Sequence, residues 1–151
     1  MSTFKSRLQN DLTESIRARD ELRSSTLRLT LTAVTNEEVA GKEARELSDG
    51  EVLKIVVREA KKRREAAEAF DQGNRPEQAA RERAEGEILA EYLPKQIDDA
   101  ELKSIVAAAI AELGVSGPSA MGQVMKAVRP KIGDRAEGGR IAAEIKGQLG
   151  S

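Results

Sequence analysis

The sequence predicts an all-α protein: a four-helix N-terminal domain over residues 1–94, then a three-helix C-terminal tail domain over 98–151. Three observations predict it. Of 151 residues only three are aromatic (Phe4, Phe70 and Tyr92), all before residue 93, so any core beyond that point is Leu, Ile, Val, Met and Ala, the material of helix–helix packing. Two helix starts carry the same cap, staple and apolar periodicity. And the one stretch that alternates like a strand has no second strand to pair with.

In chain order, Phe4, Leu8, Leu12 and Ile16 recur every four residues and predict a first helix with one apolar face. Thr26 to Thr32 alternates apolar and polar residues, a strand pattern, yet Leu27, Thr30, Leu31 and Val34 also fit a helical stripe. A lone strand would leave its backbone groups unpaired, which selects the helix. Next, Ser48 with Glu51 three residues on forms a capping box, flanked by Leu47 and Val52 as a hydrophobic staple. The helix it starts carries Leu53, Val56, Ala60, Ala67 and Phe70 and stops at Gly73-Asn74. A fourth helix begins around Arg75-Pro76 and runs through Ile88, Leu89 and Tyr92 to Leu93, where Pro94 disfavours helical geometry. Residues 94–97 form the hinge.

Asp98 caps the fifth helix, whose stripe of Leu102, Ile105, Val106, Ala109, Ile110 and Leu113 ends at Gly114. After a turn-rich linker, Met121, Val124, Met125 and Val128 face inward from a short helix ending near Pro130. A bend at Gly133-Asp134 leads to the last helix, with Ile141, Ile145 and Leu149.

Composition excludes much chemistry. The chain has no histidine and no cysteine, which removes the commonest general base, thiolate nucleophiles and thiolate metal sites. No catalytic residue, metal site or cofactor is expected. With no signal-like start and no membrane-length apolar run, a cytoplasmic protein with no membrane partner is the default. The net charge of −1 hides an asymmetry: from Gly114 onward six basic residues face three acids (+3), leaving 19 basic against 23 acidic before it. An anionic partner would therefore meet the tail.

Several clusters have bland explanations. Glu37-Glu38 and Glu82/Glu85/Glu87 read as solvated helix faces, with Glu85 near an apolar stripe and able to pair with a base on a neighbouring helix. Arg58 and Lys61 to Arg64 form the densest basic run, but Glu59, Glu65 and Glu68 dilute it to a charged helix surface. Ser24-Ser25 lacks an activating base and reads as a helix cap.

Residues 121–138 are different, combining glycines, a proline and four basic residues at a helix–turn–helix junction. Such a segment is either a tight turn between packed helices or a phosphate grip made of helix-start amides with Lys and Arg.

Met121-Gly122-Gln123-Val124-Met125-Lys126, Pro130-Lys131-Ile132 and Arg135-Ala136-Glu137-Gly138 resemble the signature of the GatB/YqeY family's C-terminal domain. Leu27-Arg28, Lys62-Arg63-Arg64 and the stretch from Glu82 through Glu91-Tyr92-Leu93-Pro94-Lys95-Gln96 resemble its stand-alone YqeY branch. That family usually has Gly before the Arg and Asp after the Ala. Here Asp134 places a negative charge beside Arg135, and Glu137 is a poorer helix cap than Asp.

The resemblance implies a non-catalytic tRNA-binding or tRNA-enzyme accessory protein, since the related tail of the tRNA-dependent amidotransferase B subunit helps recognise tRNA. The carbon–nitrogen ligase activity associated with that complex, with glutamine as amido-N-donor, would belong to parts missing from this chain. The implied partners are tRNA and a tRNA amidotransferase or aminoacyl-tRNA synthetase. The expected RNA contacts are Lys126, Arg129, Lys131, Arg135 and Arg140. A protein–protein adaptor or regulator without RNA binding is the alternative.

Overall fold

A computed structural model of the chain describes residues 3–150. Among them are seven α-helices and no strand: α1 (Thr3–Arg17), α2 (Glu21–Glu38), α3 (Asp49–Gln72), α4 (Pro76–Ala90), α5 (Asp99–Leu113), α6 (Met121–Ile132) and α7 (Gly138–Leu149). Short 3₁₀ turns at Pro118–Ala120 and Gly133–Arg135 flank α6. The chain divides into two compact units, Met1–Leu93 and Pro94–Ser151. No single helix among the described residues is long and apolar enough to cross a membrane.

In the first unit, α3 and α4 form a long antiparallel hairpin against which α1 and α2 pack. Its core is Leu8, Leu27, Val34, Leu47, Val52, Ile55, Val56, Leu89 and Tyr92, with Phe4 tilted against the Tyr92 ring at 6.3 Å between centroids. The ambiguous alternating stretch is helical, with Leu27, Thr30 and Val34 fully buried. Its hydroxyls bond within the helix: Thr26 and Thr30 donate to the carbonyls of Leu22 and Thr26 at 2.8 and 2.9 Å, which lets these polar residues face the core.

The capping box at Ser48 forms in both directions, Glu51 N–H to Ser48 Oγ at 3.2 Å and Ser48 N–H to Glu51 Oε1 at 3.1 Å. Leu47 and Val52 are both buried in the same cluster, as a staple requires. Asp49, in the next position, accepts from the Phe4 N–H (3.1 Å) and the Thr3 hydroxyl (2.6 Å), so an acid from α3 also satisfies the start of α1.

Four expectations change here. Ile16 is half exposed, because a spacing of four residues drifts about 40° per step and carries the fourth residue off the buried face. Ser24 and Ser25 are not caps. Asp20 takes that role, accepting from the Arg23 N–H at 3.1 Å, and Ser24 is buried inside α2, 2.8 Å from the Ser15 hydroxyl. α4 stops at Ala90, three residues early, and 91–93 tighten into i→i+3 turns that bring Tyr92 into the core. There Tyr92 donates its hydroxyl to Asp11, with the Arg7 guanidinium 4.6 Å above its ring. Burial first, and the Asp11 hydrogen bond second, push its phenol above the usual tyrosine range.

The fourth change is Arg63, which is buried although the basic run reads as surface. It sits on the stripe Val52, Val56, Glu59, Arg63, Ala67, and its Nε lies 3.5 Å from Glu85 Oε2 on α4. Glu59 and Glu85 are equally buried, and Lys62 and Arg81 approach them from outside at 3.0 and 3.4 Å. Neither Glu59 Oε2 nor Arg63 Nε has a partner in hydrogen-bond geometry. Burial, and then the charge of Glu85, raise the neighbouring Glu82 carboxyl. Gly86 packs directly on this site: a methyl there would meet Arg63 Cβ at 3.7 Å.

The first unit also holds a backbone irregularity. α1 ends in a Schellman motif, Asp20 N–H to Ser15 O (2.9 Å) and Arg19 N–H to Ile16 O (3.1 Å), with Arg19 at φ 57°. Glycine normally fills that left-handed position, and a side chain there costs roughly 1 kcal/mol.

The second unit is a three-helix arrangement in which α5, α6 and α7 pack pairwise. Its core is wholly aliphatic: Ile97, Leu102, Val106, Ala109, Ala120, Val124, Val128, Ile132, Ala136, Ile141 and Ile145. Asp98 caps α5 by accepting from the Glu101 N–H at 2.7 Å, and Gly114 closes it in the left-handed conformation at φ 63°. Leu113, expected on the buried stripe, is at its exposed edge. α6 continues past Pro130, which lies inside its last turn, so only one backbone bond near the helix end is lost. The helix closes instead at Gly133, whose φ of 58° and ψ of −135° only glycine adopts readily.

Candidate nucleic-acid interface

The five basic residues expected to meet RNA fall into two groups. Lys126, Arg129 and Lys131 are exposed on α6, and no carboxylate lies within ion-pair distance of them among the described residues. Lys126 and Arg129 project about 60° apart around the helix, and Lys131 lies about 160° from Arg129, on another flank. They supply charge on two sides of one helix end and not a single cluster. Arg129 reaches the first turn of α7: a methyl group at Gly138 would stand 3.0 Å from Arg129 Nη1. Gly138 thus leaves room for the guanidinium at a helix start, where Glu137 makes no side-chain cap hydrogen bond.

Arg135 and Arg140 are half-buried and engaged. Arg135 Nη1 lies 3.2 Å from Glu101 Oε1, and Arg140 Nη2 lies 2.7 Å from Asp99 Oδ1. Both acids belong to the first turn of α5, where negative charge is favoured by the exposed amides. The turn carrying Arg135 is also held by its backbone, since the Ile97 N–H donates to Arg135 O at 2.8 Å and Gln96 Nε2 to Asp134 O at 3.3 Å.

The sequence view missed these two pairs because it counted charge from Gly114. The compact unit includes α5, whose Asp98, Asp99, Glu101 and Glu112 bring it to eight basic against seven acidic residues, a net +1. The signal was present: Asp99 and Glu101 follow the Asp98 cap in the first turn, and acids there mark a place where a base from elsewhere can dock. Among the described residues no group of three or more carboxylates is placed to hold a metal ion.

An all-helical protein of two small units, the second carrying uncompensated bases around a glycine-rich helix junction, is a class known by its sequence signature as much as by its chemistry. A family model described as Yqey-like protein matches residues 5–149, and the chain belongs to the YqeY family. It is also 29% identical over 114 residues to the Altered inheritance of mitochondria protein 41, mitochondrial, of Lachancea thermotolerans. That match covers 74% of this chain and 60% of the yeast protein.

Proposed function

We propose that the protein is a non-catalytic tRNA-binding or tRNA-enzyme accessory factor, with the tail over 98–151 acting as its own domain beside a helical domain over 1–94. The observation that carries this is the set Lys126, Arg129 and Lys131, exposed without acid partners, with Arg129 laid against the first turn of α7 at Gly138. Backbone amides of that turn and a guanidinium together suit a phosphate oxygen. Arg135 and Arg140 join the contact by exchanging their carboxylates for phosphates. With no aromatic residue in the tail to stack on bases, recognition is of backbone and shape.

Any carbon–nitrogen ligase chemistry, with glutamine as amide donor, would belong to a larger tRNA amidotransferase that the protein assists. An aminoacyl-tRNA synthetase is the other enzyme it could serve. The proposed setting is the cytoplasm, although the yeast relative is by name mitochondrial.

The test is tRNA binding by the full chain across a salt series. The logarithm of the affinity should fall with the logarithm of salt by about 0.7 to 0.9 per phosphate contact, and Lys126→Ala/Arg129→Ala/Lys131→Ala should flatten that slope by about two units or more. No binding at low salt, or an unchanged slope in the triple variant, would remove the proposal in favour of a protein–protein adaptor.

A further inference from the structure

The first unit carries a cationic groove of its own. It has a volume of about 430 Å³ and is bounded by the turn after α1, the first turns of α2, and α4. Arg19, Arg28 and Arg81 line it against one acid, Glu21. Arg19 and Arg28 have no carboxylate within ion-pair distance among the described residues. Arg81 meets Glu85 through Nε at 3.4 Å, and neither of its terminal nitrogens hydrogen-bonds that carboxylate. This local excess of positive charge sits in a unit that is acidic in total, with 17 basic and 19 acidic residues.

Two further observations bear on what the groove takes. Arg19 occupies the left-handed position at the end of α1, where glycine would be more stable, and in that position it lines the groove. The groove serines are already committed: the Ser24 hydroxyl to Ser15 at 2.8 Å, and the Ser25 hydroxyl to the Leu22 carbonyl at 3.1 Å. Recognition is therefore left to guanidinium groups. Three of them supply more donors than one carboxylate has acceptors, and they match the several oxygens and higher charge of a phosphoryl group.

We propose that this groove binds a phosphoryl group through Arg19, Arg28 and Arg81, either the terminal phosphates of a small nucleotide-like molecule or a backbone phosphate of RNA. Only the second source rests on the RNA-binding proposal for the tail. The test is an amide NMR titration of the full chain with inorganic pyrophosphate and, separately, with a short single-stranded RNA, each against chloride at matched ionic strength. The RNA titration is repeated in the Lys126→Ala/Arg129→Ala/Lys131→Ala variant.

Saturable shifts at residues 19, 28 and 81 with pyrophosphate identify a small phosphate ligand. The same shifts with RNA alone, persisting in the tail variant, identify the RNA backbone. Shifts confined to the tail, or none beyond those of chloride, overturn the groove and leave the tail to be judged on its own. Arg19→Gly separates binding from folding, since it should raise the melting temperature by a few degrees while weakening the phosphate ligand about tenfold. Unchanged affinity in that variant also overturns the proposal.

Discussion

Arg135 and Glu101 meet at 3.2 Å, joining the 3₁₀ turn after α6 to the first turn of α5. The side chains are about one-third and one-half exposed, so the pair contributes little to stability. Its larger effect is on availability, because a guanidinium held by a carboxylate must exchange it for a phosphate. Glu101→Gln keeps the side-chain shape and removes the competitor. RNA affinity at low salt, measured by filter binding, should rise by up to about fivefold, with the folding temperature nearly unchanged. Equal or weaker binding would exclude Arg135 from the contact.

The buried site of Glu59, Arg63 and Glu85 responds differently. Removing Arg63 strands two buried carboxylates whose remaining partners, Lys62 and Arg81, are on the outside. Arg63→Ala should destabilise the protein by about 3 kcal/mol, read as a midpoint shift in denaturant. Glu59→Leu/Arg63→Met/Glu85→Leu should recover most of that loss, since apolar replacements need no partner. A single variant of near-native stability would show that the charges are solvated.

Gly86 offers a gain. It lies inside α4, where glycine costs about 1 kcal/mol relative to alanine, and the added methyl meets Arg63 Cβ at an ordinary contact distance of 3.7 Å. Gly86→Ala should stabilise by about 0.5–1 kcal/mol in the same denaturant assay. Destabilisation would mean that α3 and α4 cannot accept the methyl.

Glu51 is one source of acid sensitivity. The Arg45 guanidinium beside it, 2.7 Å from Oε2, and then the Ser48 N–H hold its carboxyl at about 2, against an ordinary value of 4.5. A carboxyl lowered by folding contributes stability above its unfolded value and loses it as pH falls toward the folded one. The melting temperature of the native protein should therefore fall as pH drops from about 4.5 to 2, and Glu51→Gln should lose part of that slope. Identical pH profiles would mean that Glu51 makes these contacts in the unfolded chain too.

The parts that were legible in sequence are those written in local grammar. Ser48 and Asp98 announce helix starts, with Leu47, Val52, Ile97 and Leu102 beside them buried as the staples require, and Gly114 announces a stop. Errors arose where one local rule competed with another. Asp20 outcompeted Ser24 as a cap, and Pro130 fell in a last turn that tolerates it. Contacts between distant residues were the hardest to read. Arg63 is on a buried stripe by spacing, but only α4 reveals Glu85 as its partner. Likewise Asp99 and Glu101 look like ordinary first-turn acids until Arg140 and Arg135 are seen docked on them. The candidate RNA contacts were legible as bases, while their partition into free and engaged was not.

The placement of the three rings has an experimental consequence. Phe4, Phe70 and Tyr92 all belong to the first unit, and the second has an aliphatic core. Near-ultraviolet circular dichroism and tyrosine emission thus report on residues 1–93 alone, whereas far-ultraviolet dichroism reports on every helix. Superimposable melts by the two methods would mean one cooperative transition, and divergent melts would separate the units without a label, a truncation or a mutation.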